Sequence, residues 1–287
     1  MRCKVIRKKI TLYLCAIAAL LLLIFGLAYW NETHVARIPI LMYHHLAETG
    51  VPGSTISADF FEAHIKALKD AGYTSVSFED LCDYVYNGAS LPEQPVVITF
   101  DDGYKSVYDE AYPILRKYDT KATVFIIGVL HGESHYKGRN DLSITPHLDD
   151  AEVKEMAASG MISIQSHSYD MHQLVPYEPE SPRVGILRRE DESKAEYEAA
   201  FTEDFTLASG QIEQITGLNP FVYSYPYGRF TRLSERLLKN MGVMVTVTTV
   251  AKTNIITKNS PNSLFKLGRY NVPGDMTPKE LLTMIAG

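Results

Sequence analysis

Short apolar runs alternate with amphipathic stretches along almost the whole chain, and this alternation restricts the possible folds more than any other feature. Arg37–Tyr43 reads as a strand. Ser57 can cap a helix with Phe60, Phe61, Ile65 and Leu68 on its apolar face and a stop near Gly72. Thr74–Ser77 then reads as a strand and Phe78–Tyr86 as a helix, and Val96–Phe100, opening on three β-branched residues, reads as a buried strand. The rhythm continues with a helix at Val107–Tyr118, a strand at Lys121–Ile127, a helix at Asp150–Ser159 and a strand at Met161–Gln165. Over Glu192–Thr216 helical spacing places Tyr197, Phe201, Ala208, Ile212 and Ile215 on one side, with Gly217 as the stop. Strands about Phe221–Tyr225 and Val243–Val250 flank a helix at Ser234–Met241, and a strand about Leu264–Val272 precedes a helix beginning near Thr277. Strands alternating with helices imply a parallel sheet, open or closed into a barrel, with functional residues at strand C-termini. Gly132–His147 and the proline-bearing Pro176–Arg189 read as surface excursions.

Ile10–Trp30 contains no charged side chain and follows Arg2, Lys4, Arg7, Lys8 and Lys9. That length spans a bilayer, and the basic flank predicts an N-in orientation with the remainder outside the cytoplasm. No convincing small-residue cleavage site stands near Gly26–Trp30, which favours an uncleaved anchor over a signal peptide. The expected organisation is a basic cytoplasmic tail at 1–9, a transmembrane helix at 10–30, a linker at 31–36 and an exterior domain at 37–287. That organisation predicts a single-pass protein of the cell membrane.

The chain has 28 Lys and Arg against 34 Asp and Glu. Without the five basic residues of the leader, the rest carries a formal charge of −11. An acidic exterior domain is a poor partner for nucleic acid or polyanionic glycans, and neutral substrates fit better. Of the three cysteines, Cys3 and Cys15 lie before or within the leader, so Cys82 stands alone outside. No disulfide framework or cysteine zinc site can be built, and Cys82 reads as a buried thiol.

The chemistry gathers at strand ends. Val96–Phe100 runs directly into Asp101, Asp102 and Gly103. One aspartate would suffice to cap a turn, whereas two repel unless a cation or a shared proton compensates. Met161–Gln165 runs into Ser166, His167, Ser168, Tyr169, Asp170, Met171 and His172. Two histidines five apart share a ligand only if the chain turns between them, and two imidazoles with a carboxylate and an open position form a recurrent catalytic zinc set. His44 and His45 end the first strand.

Thr99-Phe100-Asp101-Asp102-Gly103, His167-Ser168 with His172, and Tyr225-Pro226-Tyr227-Gly228 resemble the motifs of the polysaccharide deacetylases of carbohydrate esterase family four. The resemblance runs from about Pro39 nearly to the C-terminus. Its His spacing, Tyr-Pro-Tyr-Gly turn and early Met-Tyr-His are similar to the branch containing the poly-N-acetylglucosamine deacetylases. It implies a distorted (β/α) barrel of about seven parallel strands and removal of N-acetyl groups from an N-acetylglucosamine polysaccharide, either exopolysaccharide or peptidoglycan. It further implies Asp101 as general base, His44 as general acid, and Asp102, His167 and His172 as ligands of a metal, Zn2+ before other divalent transition metals. The Tyr227 N–H would face the oxyanion, with Pro226 in the same turn.

The departures are specific. Ser224 stands where many members carry an Arg, and the Asp-x-x-Asp-Trp and late Leu-x-His motifs are missing. Arg269 is the candidate replacement beside Asp101. A degenerate glycan-binding module is one alternative reading. A glycosidase using the Asp pair is another, although adjacent carboxylates poorly straddle a sugar and leave the histidines idle.

Overall fold

In a computed structural model the described residues are 13–24, 26, 34–51, 53–173, 178 and 183–286. Residues 37–287 form one compact unit and residues 1–36 a second. In the latter, residues 13–24 and 26 are helical and exposed. The remainder of the expected anchor over 10–30 lies outside the described residues. Among those described, no helix is long and apolar enough to cross a membrane.

The larger unit is built on an all-parallel sheet. Its strands are β1 (Ile40–Tyr43), β2 (Thr74–Ser75), β3 (Pro95–Phe100), β4 (Ala122–Ile126), β5 (Ile162–Ser166), β6 (Val222–Ser224), β7 (Val245–Val247) and β8 (Tyr270–Asn271). The order is β7-β6-β5-β4-β3-β1-β8, with β2 pairing the start of β3. Leu267 donates its N–H to Thr246 O (2.9 Å) and accepts from Thr248 N–H (2.7 Å). The segment entering β8 thereby returns to β7 and closes the seven-strand path into a distorted barrel. β3 and β4 are buried at every position, as strands covered on both faces must be.

Seven α-helices accompany these strands among the described residues: α1 (Ala58–Asp70), α2 (Phe78–Cys82), α3 (Tyr112–Lys117), α4 (Asp150–Ala158), α5 (Lys194–Thr216), α6 (Arg232–Asn240) and α7 (Pro278–Ala286). Ser57 caps α1, accepting from Phe60 N–H. The buried stripe of α1 is Phe61, His64, Ile65 and Leu68, while Phe60 is exposed. This corrects the expected apolar face: Phe60 precedes Phe61 by one position, about 100° round the helix, and His64 takes the vacant place at i+3. Its imidazole is accommodated by Met276 O at 2.8 Å from Nε2 and the Tyr43 hydroxyl at 3.3 Å from Nδ1. α5 begins at a capping box of Ser193 and Glu196 and ends, as the sequence predicts, at Gly217, with φ of 75°.

Several expected spans are shorter or broken, among them Val243–Val250, which is a strand only over Val245–Val247. The first strand of the sheet begins after Pro39, which has no N–H to give the ladder. The Phe78–Tyr86 helix turns into a π-helical stretch at Asp83–Asn87, and that at Val107–Tyr118 starts as one at Val107–Ala111. The last strand shrinks to Tyr270–Asn271, because Pro261–Leu264 coils into a 3₁₀ turn. Cys82 is buried, and burial with Glu79 and Asp83 nearby pushes its thiol up to about 12, an inert state.

Candidate active site

Strand register assembles the site. Tyr43 pairs with Phe100 across β1 and β3, and Asp101 donates its N–H to Tyr43 O (2.9 Å). His44 and Asp101 therefore leave adjacent strands side by side. Ser166 pairs with Tyr223 across β5 and β6, which sets His167 beside Ser224. All four lie at strand C-termini.

Asp101 is only 3% exposed and Arg269 is fully buried. The guanidinium grips the carboxylate with both arms, Nη1 to Oδ1 at 2.7 Å and Nη2 to Oδ2 at 2.6 Å. Its remaining donors reach Thr99 Oγ1 (3.2 Å), Ser224 Oγ (3.0 Å) and Thr248 O (3.1 Å). All five N–H groups are thus placed, the condition under which a buried ion pair is tolerable. Ser224 makes this possible, since its small side chain admits the guanidinium from β8. Burial alone would raise the Asp101 pKa, but Arg269 and then His167 outweigh it and hold the carboxyl well below its usual range.

Asp102 turns the other way. Its backbone φ is 70° and that of Gly103 is 74°. A Cβ on Gly103 would come within 3.2 Å of the Ile126 backbone, so the residue after the Asp pair has to be glycine. Asp102 Oδ1 lies 3.5 Å from His167 Nε2 and 3.5 Å from His172 Nε2. The three ligand atoms fall within 4.8 Å of one another. His167 Nδ1 is 2.8 Å from Ser224 O, which assigns the proton to Nδ1 and leaves Nε2 a lone pair. Burial pushes that imidazole down to about 4, against the pull of Asp101, and keeps it neutral. Asp102 is pulled below its usual range: burial opposes ionisation, but His172, His44 and His167 together prevail. Asp102 Oδ1 is buried with no hydrogen-bond partner among the described residues. An anionic oxygen left bare between two imidazole nitrogens fits a divalent cation.

The other residues singled out in the sequence lie around this cluster. His44 is half-buried, and its charge is felt by both Asp101 and Asp102. His45 turns away to Ser106 Oγ, 2.7 Å from its Nδ1. Pro226 and Tyr227 form a 3₁₀ turn closed by Gly228 N–H to Tyr225 O (2.8 Å), with Tyr227 in the left-handed region at φ of 57°. The Tyr227 ring covers His172 at 4.4 Å between centroids, and its hydroxyl donates to Gln173 O (2.9 Å). Left-handed backbone at Asp102, at Ser168 (φ 85°) and at Tyr227 concentrates strain at the site.

Tyr104 and Asp204 are the two residues the sequence did not bring forward. The Asp102 charge, then burial, holds the Tyr104 phenol protonated. Asp204 could have been noticed as an acid three residues beyond Phe201 and four before Ala208 on the apolar face of α5. A cavity of about 490 Å³ lined by Leu68, Lys69, Ser75, Val96 and Lys121 lies at the N-terminal ends of the strands, away from all these groups.

A parallel barrel bearing a two-histidine, one-carboxylate cluster beside an arginine-clamped aspartate is the framework of a hydrolase. A model of the polysaccharide deacetylase family matches residues 88–246. The Bacillus subtilis protein YxkH, named for the same family, is 32% identical over 221 residues, 77% of this chain and 67% of that one. A poly-beta-1,6-N-acetyl-D-glucosamine N-deacetylase of Staphylococcus aureus is 32% identical over 133 residues, 46% of this chain and 43% of that protein. The match thus spans less than half of that relative. A solved de-N-acetylase from Aggregatibacter actinomycetemcomitans superposes with a TM-score of 0.73 at 26% identity, covering 87% of this chain and all of that one. The chain belongs to the polysaccharide deacetylase family and is a deacetylase, an enzyme hydrolysing amide bonds.

Proposed function

We propose that the protein is a metal-dependent N-deacetylase of N-acetylglucosamine polysaccharide, anchored in the cell membrane by its N-terminal segment with the barrel outside. One observation carries the chemistry: Asp102 Oδ1, His167 Nε2 and His172 Nε2 converge within 4.8 Å directly beside the clamped Asp101. The substrate class is supported by the Staphylococcus aureus relative and by the acidic exterior, which suits a neutral glycan and a cationic product.

Asp102, His167 and His172 would hold the cation, with zinc the best match to two imidazoles and a carboxylate. When bound, it supplies Lewis acidity toward the acetyl carbonyl and acidifies the attacking water. Asp101, kept ionised by Arg269, accepts the water proton. The Tyr227 N–H donates to the oxyanion, and His44 on the neighbouring strand end hands a proton to the departing amine. Acetate and a free amino sugar result.

The test is acetate release by the full-length protein on exopolysaccharide, peptidoglycan and chito-oligomers, with and without chelator. Release abolished by chelator and restored by zinc is expected. Release indifferent to chelator would refute the metal assignment, and saturable glycan binding without release would reduce the protein to a binding module.

A further inference from the structure

His167 and His172 reach the same point by different means. The ring of His167 is locked by its own hydrogen bond to Ser224 O. His172 Nδ1 is buried and has no hydrogen-bond partner among the described residues. The position of that ring is therefore set by its backbone and by the Tyr227 ring lying over it.

The backbone makes its reversal at Ser168–Asp170, starting from a left-handed serine. Two outward carbonyls are taken up by the loop after β4: Gly128 N–H donates to Ser168 O (3.0 Å) and Val129 N–H to Tyr169 O (2.9 Å). A Cβ on Gly128 would strike the Tyr169 ring, so the two segments lie as close as backbone permits. Two consecutive N–H groups meet a single carboxylate. Asp204 Oδ2 accepts from Tyr169 (2.9 Å) and Oδ1 from Asp170 (2.7 Å). Asp204 is 7% exposed on a face otherwise made of Tyr197, Phe201, Phe205, Ala208 and Ile212. Arg183, whose charge reaches it, is committed to Glu192. A carboxylate buried in such a place costs far more than a leucine would, unless its oxygens do something a leucine cannot.

We propose that Asp204 is a positioning residue for the metal site, its two oxygens fixing the turn that returns His172 to Asp102 and His167. The side chain touches neither ligand nor substrate. Its role is to hold two adjacent backbone N–H groups in one orientation, so that the strained turn has a single geometry. The inference rests on the reading of His172 as a metal ligand, and its test separates the two.

The metal-free full-length protein is titrated with Zn2+ against a chromophoric chelator and with Co2+ for its visible spectrum. Asp204→Asn keeps the shape and removes one acceptor. Phe205→Leu, on the next position of the same helix, loosens packing without removing either hydrogen bond to the turn. Asp204→Asn is expected to weaken Zn2+ binding about tenfold or more and to alter the Co2+ bands, the scale of other outer-shell changes. Phe205→Leu is expected to lower the melting temperature but leave both readings at wild-type values. Wild-type affinity in Asp204→Asn, with metal lost in His172→Ala, overturns the role of Asp204 alone. Wild-type affinity in His172→Ala overturns the ligand reading and this inference together. Equal losses in Asp204→Asn and Phe205→Leu reduce Asp204 to ordinary core stability. If Asp204→Asn does not fold, amide exchange in the wild-type protein decides: slow exchange at Tyr169 and Asp170 is expected, and exchange at the rate of exposed loop amides overturns the proposal.

Discussion

Asp101 and His172 face the same small volume but belong to differently built halves of the site. Asp101 stands one residue beyond β3, and both its oxygens are gripped by a guanidinium whose five donors are all placed. His172 stands six residues beyond β5, on a turn, with an unbonded ring nitrogen and an aromatic cover. The strand-borne half needs nothing further to be in order. The loop-borne half owes its geometry to backbone contacts and to whatever occupies the centre. On the proposed reading, the Asp101 geometry should survive removal of the metal unchanged, whereas the His172 ring, with no hydrogen bond of its own among the described residues, should loosen on its turn.

The largest effect expected is on the strand-borne half. Asp101→Asn should lower turnover by about a hundred- to ten-thousandfold while Zn2+ affinity stays near wild type, as steady-state kinetics and metal titration would show. A parallel loss of metal would merge the two halves. Next in size, Arg269→Met leaves Asp101 buried without its cation. A stability loss of about 3–5 kcal/mol by denaturant unfolding is expected. Because Arg269 lowers the Asp101 pKa, its removal should also move the acid limb of the pH–rate profile upward. An unmoved limb would detach Asp101 from the proton transfer.

The loop-borne half has a pH signature of its own. His147, buried beneath Tyr104, is pushed down to about 4 by burial. Its unfolded form takes up a proton near pH 6.5 and its folded form only near 4, so the stability it contributes is present above 6.5 and lost as pH falls between these values. The shift corresponds to about 3 kcal/mol at most. Thermal unfolding of wild type and His147→Leu should show the steeper acid loss in wild type, and identical slopes would contradict this. The smallest effect is that of Tyr227→Phe, which deletes the hydrogen bond to Gln173 O worth about 1 kcal/mol. A severalfold weaker Zn2+ affinity is expected, with Asp101-dependent steps unchanged.

How far the sequence discloses the site follows the same division. Asp101, Asp102 and His167 stand out because a strand ending in charge is a local pattern, and parallel pairing carries strand ends to one rim; His44 is singled out only through the family resemblance. The parallel sheet follows from the same alternation, while its closure into a barrel is implied only by the family resemblance. His172 is legible only through its spacing within a recognised motif, since its return depends on a turn that Asp204 holds from a distant helix. Arg269 is a guess from sequence: nothing local distinguishes it from any arginine near a strand. Its place beside Asp101 depends on β8 pairing β1 and on Ser224 leaving room. Phe60 was misplaced for the opposite reason, because a hydrophobic count cannot see that a histidine with two buried partners completes the helix stripe.

The pairing of β1 with β8 has a consequence for how the enzyme comes into being. Leu41 meets Tyr270 across that seam, so an early stretch of the barrel waits for a late one. His44 and Arg269, the two groups that complement Asp101, enter from the two sides of the seam. A chain still emerging can pair β1 with β3 and form the β3–β4–β5 centre, His44 included, while still lacking Arg269. Closure of so long a loop is entropically the most expensive pairing and so tends to come late. The clamp on Asp101 is thereby the last part of the site that the chain can complete, a consequence of strand order alone.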